Sequence, residues 1–305
     1  MTGIVAVIGP TAVGKTKLSV EIATECGGEI INADSRQVYR LMDIGTAKPT
    51  AEERKQAIHH LLDIRDPNET YSLGSFVSAA SDVINNNERN DIPSILCGGS
   101  GQYVWGLLEG WNVPAIPPNQ PFRLQKECEA ERDGNMALHE QLSKIDPVRA
   151  KAIDPRNLRR VIRALEIYHV TGLKPSEIPS RGAISYSPLI IGLTMDRSAL
   201  YGRIDDRVDT MMAEGFLDEV AYLKSVGYTL GQGPLASPGY TELGIHLDGS
   251  ITLEEAVQKT KYQTHRLARK QYGWFKPSDS RIQWLDAMDP NLLSNALRLV
   301  KDSMR

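Results

Sequence analysis

The feature that most constrains the fold of this chain is an apolar run followed at once by a glycine-rich turn. Residues 4–8 are apolar and mostly β-branched, and residues 9–16 read GPTAVGKT, a full match to the pattern GxxxxGK[ST]. Residues 15–24 then place apolar side chains at helical spacing. This order predicts a buried parallel strand that leads, through a phosphate-binding loop, into a helix.

The loop gives a specific chemical prediction. Its backbone N–H groups, together with the helix N-terminus, form a cradle for an anion. Lys15 adds a positive charge, and the Thr16 hydroxyl is placed to ligate Mg²⁺. The predicted phosphate-binding residues are Gly9, Pro10, Thr11, Ala12, Val13, Gly14, Lys15 and Thr16. The motif indicates a bound polyphosphate and leaves open which molecule carries it.

Further strand patterns alternate with helical ones along the chain. They cover residues 29–33, 93–97, 188–193 and 282–285, and a mostly helical pattern covers 122–170. We therefore predict an α/β fold, a P-loop NTPase-like parallel sheet flanked by helices. The catalytic core would comprise residues 1–114 and 184–305, and a mainly helical insertion would comprise residues 115–183.

Composition excludes several classes of protein. The chain is 41% hydrophobic and 24% charged, with a formal net charge of −3, so no global basic field exists to attract nucleic acid. Cys26, Cys97 and Cys128 are far apart, which favours reduced thiols in a cytoplasmic protein over disulfides or a zinc site. No stretch approaches the ~18 apolar residues that a membrane span requires.

Two further strands end in polar residues that belong at the same edge of the sheet. The strand at 29–33 is followed by Asp34 and Ser35, and the strand at 93–97 by Gly98-Gly99-Ser100-Gly101. The second strand therefore lacks the terminal aspartate that usually holds the metal in P-loop NTPases. Asp34 fits a metal ligand, a general base or a plain turn residue, and these alternatives stay open at this point.

Taken together, the motifs resemble the tRNA dimethylallyltransferase family, also called tRNA isopentenyltransferases, in its bacterial form. The resemblance is carried by GPTAVGKT (9–16), DSRQVY (34–39), DIGTAKP (43–49), HHLLD (59–63), GGSGQY (98–103), RVIRALE (160–166), RLARKQ (266–271) and WF (274–275). The chain departs from the family pattern at three points. Gln102 replaces an apolar residue, and Pro238 stands where the family has Ile or Val before the Gly-Tyr turn. The Cys/His zinc module of eukaryotic members is missing. None of the three falls on the expected chemistry.

The resemblance implies a transfer reaction. The phosphate loop would hold the diphosphate of dimethylallyl diphosphate, and the acceptor would be the exocyclic amine of the adenosine 3′-adjacent to a tRNA anticodon. Asp34 would act as the general base, and Lys15, Thr16 and Mg²⁺ would stabilise the leaving group. Arg203 and Arg207, one helical turn apart, would form the far wall of the diphosphate site, with Arg203 preferred. The alternative is a surface helix whose arginines pair with neighbouring aspartates.

A second set of residues is expected to bind the tRNA anticodon stem-loop. Adenosine would be flipped out of the loop and read by residues beside the base, with a glutamine matching adenine best. Basic residues of the insertion, acting as a lid, and of a C-terminal helix would contact phosphates, unless these stripes are only solvated surface. The predicted tRNA-binding residues are Asp34, Ser35, Arg36, Gln37, Ser100, Arg159, Arg160, Arg163, Arg266, Arg269 and Lys270. A monomer is expected.

Three rival functions follow from the same motifs. A P-loop small-molecule kinase or ATPase would leave both basic stripes without a purpose. An adenylate isopentenyltransferase of the cytokinin type shares the chemistry but takes a free nucleotide, and needs neither the insertion nor the C-terminal stripe. A non-catalytic RNA-binding module would use the loop as a structural anion site and would have no need of Asp34.

Overall fold

The computed structural model describes residues 3–112, 116–178, 182 and 186–303. By its internal contacts the chain separates into two compact units, Met1–Glu109 with Ile184–Arg305, and Gly110–Ala183. The boundaries predicted at 114/115 and 183/184 fall on residues outside the described ranges. Across the described part of the chain, no helix combines the length and apolar content needed to cross a membrane.

The first unit is built on one six-stranded sheet, and all of its strand pairs are parallel. The order across the sheet is β3-β2-β4-β1-β5-β6. The strands are β1 (Ile4–Ile8), β2 (Glu29–Asn32), β3 (His59–His60), β4 (Ser94–Gly98), β5 (Leu189–Thr194) and β6 (Ile282–Asp286). The predicted α/β class is confirmed, and each strand pattern found in the sequence corresponds to a strand. The two-residue strand β3 was not predicted.

Helices cover the sheet and form the second unit. In chain order they are α1 (Lys15–Cys26), α2 (Ala51–Gln56), α3 (Leu73–Arg89), α4 (Gly101–Leu108), α5 (Gln120–Asp133), α6 (Asn135–Ile145), α7 (Pro147–Lys151), α8 (Leu158–Thr171), α9 (Arg197–Ala213), α10 (Phe216–Ser225), α11 (Tyr240–Leu247), α12 (Leu253–Trp274) and α13 (Leu292–Ser303). The four helices α5 to α8 lie in the second unit, in agreement with the helical pattern read there.

The central position of β1 places the phosphate loop beside the ends of two other strands. Strand β1 pairs with β4 and β5, and β2 pairs with the far side of β4. The turns after β2 and β4 touch directly, since the Ser100 N–H donates to the Ala33 carbonyl at 3.2 Å. The carboxyl edge of a parallel sheet is where ligands of such folds collect. The loop, Asp34 and Ser100 therefore share one edge.

Two apolar clusters hold this unit together. The first packs α1, α9 and α13 onto β1 and β5, with Leu18, Ile22 and Ile191 at its centre. The second joins the chain after β2 to α10 and α11 through the fully buried side chains of Phe216 and Tyr240. The second cluster anchors the segment around residues 38–44. This segment leads into residues 43–48, which form one wall of the site described below.

The second unit has its own core and a buried ionic network. Leu138, Leu142 and Val161 lie in its apolar cluster. The Glu166 carboxylate is 0% exposed and accepts hydrogen bonds from the Arg123 and Arg163 guanidinium groups at 2.6–2.8 Å. Burial alone would raise the pKa of Glu166, but the bonds from the two arginines outweigh it and lower that pKa to about 2. Helices α5 and α8 of the insertion are thus joined by a charged network as well as by apolar packing.

Candidate active site

The phosphate loop has the backbone conformation that its glycines require. Gly9 has φ 146°, and a Cβ there would lie 2.6 Å from the Leu193 carbonyl oxygen of β5. Gly14 has φ 103° and immediately precedes α1, so the helix begins inside the loop. Only glycine tolerates both positions without strain or a clash. The N-terminus of α1 therefore opens onto the loop, as expected for an anion cradle.

Lys15 lies at the floor of this loop. Its Nζ donates to the Pro10 carbonyl at 2.7 Å, so the side chain folds back along the loop. Burial lowers the pKa of Lys15 from 10.5 to about 8; the nearby Arg207 adds to this effect, while Cys97 and Asp34 oppose it. An anion bound in the loop would replace the carbonyl as the partner of this ammonium group.

The lowered pKa of Lys15 predicts a pH dependence for diphosphate binding. The charged lysine is lost as the pH rises through about 8, and a bound anion restores it by raising the pKa. We expect affinity for a prenyl diphosphate to fall above pH 8, by about tenfold per pH unit at the alkaline limit. Calorimetry at pH 9 in two buffers of different ionisation enthalpy should show proton uptake on binding.

The matched control is Lys15→Arg, because the arginine side chain stays charged throughout this pH range. The ligand ionises in the same way with both proteins, so any difference between them comes from residue 15. The arginine variant should show no proton uptake at pH 9 and a flat affinity between pH 7.5 and 9. Equal proton uptake by both proteins would assign the titration to another group.

Asp34 follows β2 on a segment that a buried amide holds in place. The Asn32 side chain is buried, accepts a hydrogen bond from the Asp34 N–H at 3.0 Å and donates to the Asp34 carbonyl at 3.2 Å. The same amide donates to the Leu61 carbonyl at 3.1 Å. The Asp34 carboxylate accepts from the Arg36 N–H at 2.8 Å. The carboxylate is thereby fixed at the sheet edge and remains half-buried.

Two cavities meet at Asp34. One, of about 830 Å³, is lined by the phosphate loop, Lys15, Thr16 and Arg203. The other, of about 560 Å³, is lined by Ser100, Phe216 and the inner face of α12. Among the described residues, those that line both cavities are Thr11, Asp34, Thr46, Arg207 and Met211. A reactant in the first cavity and one in the second would therefore meet beside the Asp34 carboxylate.

The two arginines of α9 take different positions. Arg207 is half-buried and lines both cavities, whereas Arg203 is exposed and lines only the larger one. Burial lowers the pKa of Arg207, and the charges of Asp34 and Glu53 oppose that effect. A guanidinium group with weakened solvation next to Lys15 makes a strong anion ligand. The preference for Arg203 stays untested, but the geometry gives Arg207 the central position.

Known proteins carry the same sequence pattern along the whole chain. A family model described as IPP transferase matches residues 37–278, and one described as isopentenyl transferase matches residues 2–71. The chain belongs to the IPP transferase family. The tRNA dimethylallyltransferase of Thermomicrobium roseum is 44% identical over 303 residues, which cover 99% of this chain and 92% of the relative. That of Herpetosiphon aurantiacus is 44% identical over 297 residues, 97% of this chain and 94% of the relative.

Solved structures of IPP transferases share the fold. The full-length tRNA isopentenylpyrophosphate transferase of Bacillus halodurans matches with a TM-score of 0.72 and 40% identity, covering 100% of this chain and 99% of that one. A eukaryotic dimethylallyltransferase, described as acting on tRNA, matches with a TM-score of 0.85 and 29% identity, covering 99% of this chain and 79% of that one. The resemblance seen in the motifs is confirmed over nearly the full length.

In this member of the IPP transferase family, two of the three residues expected to read the base, Ser35 and Ser100, line the smaller cavity. Ser100 Oγ accepts from the Ser35 N–H at 2.9 Å, and Ser35 and Arg36 line the same wall. Gln37 lies on the side of the larger cavity, and its amide nitrogen donates to the Thr46 and Ala47 carbonyls at 3.1 and 3.0 Å. Reading of adenine by Gln37 remains a prediction, and it requires that amide to change partners.

Helix α12 divides its basic residues between two faces. Arg266 and Lys270 are exposed and line the smaller cavity, together with Trp274. Arg269 donates to the Tyr201 hydroxyl at 2.9 Å, and Lys261 and His265 pair with acids of α9. The basic residues of α12 therefore fall into two groups, one beside the smaller cavity and one bound to α9.

The three predicted arginines of the insertion also differ in their surroundings. Arg159 and Arg160 are exposed on α8, as a phosphate contact requires. Arg163 is half-buried, donates to Glu166 at 2.6 Å and donates to the Ile116 carbonyl at 3.2 Å. The guanidinium group of Arg163 is therefore committed to the fold of the insertion, because its loss would leave the buried Glu166 carboxylate short of a partner.

Sequence reasoning missed Glu219 and gave no role to Lys48 of the DIGTAKP motif, and both residues hold the wall at residues 43–48. Glu219 of α10 accepts from the N–H groups of Asp43, Ile44 and Gly45 at 2.7–3.1 Å and from the Tyr240 hydroxyl at 2.7 Å. Lys48, whose side chain is 2% exposed, pairs with Asp43 and Asp63 and donates to the Tyr39 carbonyl. The DIGTAKP motif was found, but the distant partners give no local sequence signal. Together they fix the wall that carries Thr46.

Proposed function

We propose that this protein transfers a dimethylallyl group from dimethylallyl diphosphate to the exocyclic amine of the adenosine 3′-adjacent to the anticodon of tRNA. One observation carries the assignment. A phosphate-loop cavity that includes Lys15 and Arg207 opens, beside the Asp34 carboxylate, onto a second cavity lined by basic and aromatic side chains. The first cavity suits a diphosphate and the second suits a base extruded from RNA. The family membership of the chain agrees with this reaction.

The reaction requires one bond to form while another breaks. The adenosine amine attacks C1 of the dimethylallyl group, and the C1–O bond breaks with its electron pair going to the diphosphate. The amine proton passes to the Asp34 carboxylate, which lies where the two cavities join. Lys15 and Arg207 offset the charge that develops on the leaving oxygen. The diphosphate remains in the larger cavity when the new C–N bond is complete.

Magnesium fits the donors on the larger cavity. Thr16, half-buried at the start of α1, offers a hydroxyl oxygen, which is the hard type of ligand that Mg²⁺ prefers. No group of three or more His, Cys, Asp or Glu side chains able to hold a metal ion occurs within the described residues. Mg²⁺ would then be held by Thr16, diphosphate oxygens and water, and when bound it would neutralise charge on the leaving group.

For the RNA we assign phosphate contacts to exposed basic residues in both units. These are Arg266 and Lys270 beside the smaller cavity, and Arg159 and Arg160 on the insertion. Each such contact adds to the salt dependence of binding. Arg269 stays a predicted contact, because it is exposed and its bond to Tyr201 uses one of five N–H donors. Arg163 also stays a prediction, but its guanidinium group binds the buried Glu166.

A strand feature favours prenyl transfer over ATP hydrolysis. Strand β4 lies next to β1 and ends at Gly98, where a P-loop NTPase usually carries the aspartate that holds its metal. A small-molecule kinase would also leave the exposed basic residues Arg266 and Lys270 beside the smaller cavity without a purpose.

Radiolabelled dimethylallyl diphosphate supplied with Mg²⁺ and an unmodified tRNA tests the assignment. The tRNA should carry adenosine just after the anticodon, and a matched tRNA with guanosine there is the control. Label should appear on the adenosine tRNA alone. Label on AMP, ADP or ATP, run in parallel, would indicate the cytokinin-type reaction instead. ATP consumption without label on any acceptor would indicate phosphate transfer.

A further inference from the structure

A glutamine of the C-terminal helix contacts the phosphate loop directly. Gln271 of α12 is 6% exposed, and its Oε1 accepts a hydrogen bond from the Thr11 N–H at 2.7 Å. Its Nε2 donates to the Gly99 carbonyl at 3.1 Å. These partners lie 260 and 172 residues away in the chain, one in the phosphate loop and the other in the turn after β4.

The GGSG turn provides the space that this glutamine occupies. A Cβ at position 99 would lie 2.3 Å from the Gln271 Nε2, and a Cβ at position 101 would lie 2.2 Å from the Trp274 ring. The Trp274 carbonyl also accepts from the Trp105 indole N–H at 3.0 Å. The glycines at positions 99 and 101 therefore allow the end of α12 to pack against the sheet edge.

The bond to Thr11 changes which loop amides face a ligand. Thr11 N–H is directed at Gln271, so the cradle is formed by amides further along the loop, toward the start of α1. The next residue, Ala12, has φ 64°, a left-handed conformation that a residue with a side chain adopts only when its surroundings impose it. Gln271 binds the amide of Thr11, the residue that precedes this left-handed position.

We infer that Gln271 is a positioning residue that presets the phosphate loop for the diphosphate of the prenyl donor. The inference rests on the proposed transfer reaction for its ligand, but its geometry involves only contacts within the first unit. An amide is needed because one group must accept from Thr11 and donate to Gly99 at once. A glutamate in place of Gln271 has no N–H to donate to the Gly99 carbonyl, and a methionine makes neither of the two bonds. Both substitutions leave the length of the side chain nearly unchanged.

The test is the affinity of the full chain for inorganic diphosphate with Mg²⁺, measured by calorimetry in the absence of RNA. Gln271→Met should weaken this affinity by about tenfold, the scale of one well-placed hydrogen bond. Gln258→Met is the control, because Gln258 is exposed on the same helix and lines neither cavity. It should bind diphosphate like the unaltered chain.

A second variant separates positioning from general support of the fold. In Gln271→Glu the protonated carboxyl can mimic the amide, whereas the ionised form opposes the Gly99 carbonyl and the anionic ligand. Diphosphate affinity of this variant should fall more steeply with rising pH than that of the unaltered chain. A role confined to anchoring α12 would lower the melting temperature or tRNA affinity of both variants and leave diphosphate binding unchanged, and that result would overturn the inference.

Failure of this inference and failure of the proposed function give different results. Unchanged diphosphate affinity in Gln271→Met rejects the role of Gln271 even when the unaltered protein transfers the prenyl group normally. Loss of diphosphate affinity in a protein that modifies no tRNA retains the role of Gln271 and rejects the proposed acceptor.

Discussion

Replacement of Asp34 by asparagine should lower kcat for prenyl transfer by about 10²–10⁴, the contribution of a well-placed general base. The asparagine side chain has the same shape and can still accept the hydrogen bond from the Arg36 N–H that holds the carboxylate. It cannot take up the proton that the adenosine amine releases. Affinity for tRNA and for the prenyl donor should change little, so single-turnover kinetics at saturating substrates is the measurement.

The control for Asp34→Asn is Asp66→Asn, since Asp66 is an exposed residue paired with Arg40. Exposed pairs contribute little to stability, and kcat should be unaltered in the control. If Asp34→Asn keeps kcat within about threefold of the unaltered enzyme, a loss too small for a general base, the amine proton leaves by another route and Asp34 is not the base.

Replacement of Arg207 by alanine should lower kcat/KM for dimethylallyl diphosphate by about 10²–10³, as for removal of a charged donor at a leaving group. Arg207 lines both cavities and is half-buried, so water cannot easily take its place. Because the charge on the leaving oxygen grows as the C1–O bond breaks, kcat should fall more than donor affinity. Steady-state kinetics with saturating tRNA separates the two effects.

The matched control is Arg203→Ala on the same helix. Arg203 is exposed at the wall of the larger cavity, where solvent screens its charge, and its loss should cost less than about tenfold. The reverse ranking would restore the preference for Arg203 that the sequence alone suggests. Equal small effects would remove this helix from the diphosphate site.

The sequence predicts the sheet well because its strands have strong local patterns. Strand β1 is a short β-branched run bounded by Gly9-Pro10, and β5 is a comparable run bounded by Pro188. Strand β3 has only two residues, His59 and His60, which are held by pairing with β2. No local pattern marks a strand that exists only because its neighbour is in place.

The candidate site was partly predictable for the same reason. Asp34 and Ser100 each lie two residues after the end of a strand, and the parallel sheet brings such residues to one edge. Gln271 and Glu219 could not be found in this way, because their partners are distant in the sequence. The partners of Gln271 lie 172 and 260 residues away, and the backbone amides that Glu219 binds lie 174 to 176 residues away. The ion pair between Arg163 and Glu166 could have been predicted from the sequence, since Glu166 lies three positions further along the same helix.

The meeting of two cavities at the Asp34 carboxylate affects how the substrate specificity of such an enzyme can evolve. Within the described part of the chain, five residues line both cavities. Each cavity also has a wall of its own, the start of α1 with Lys15 and Thr16 in the larger one and α12 in the smaller one. A substitution at the start of α1 therefore reshapes the larger cavity and leaves the wall that α12 gives to the smaller cavity unchanged. The specificity for the prenyl donor and the specificity for the RNA can therefore change independently, provided that the shared residues stay in place.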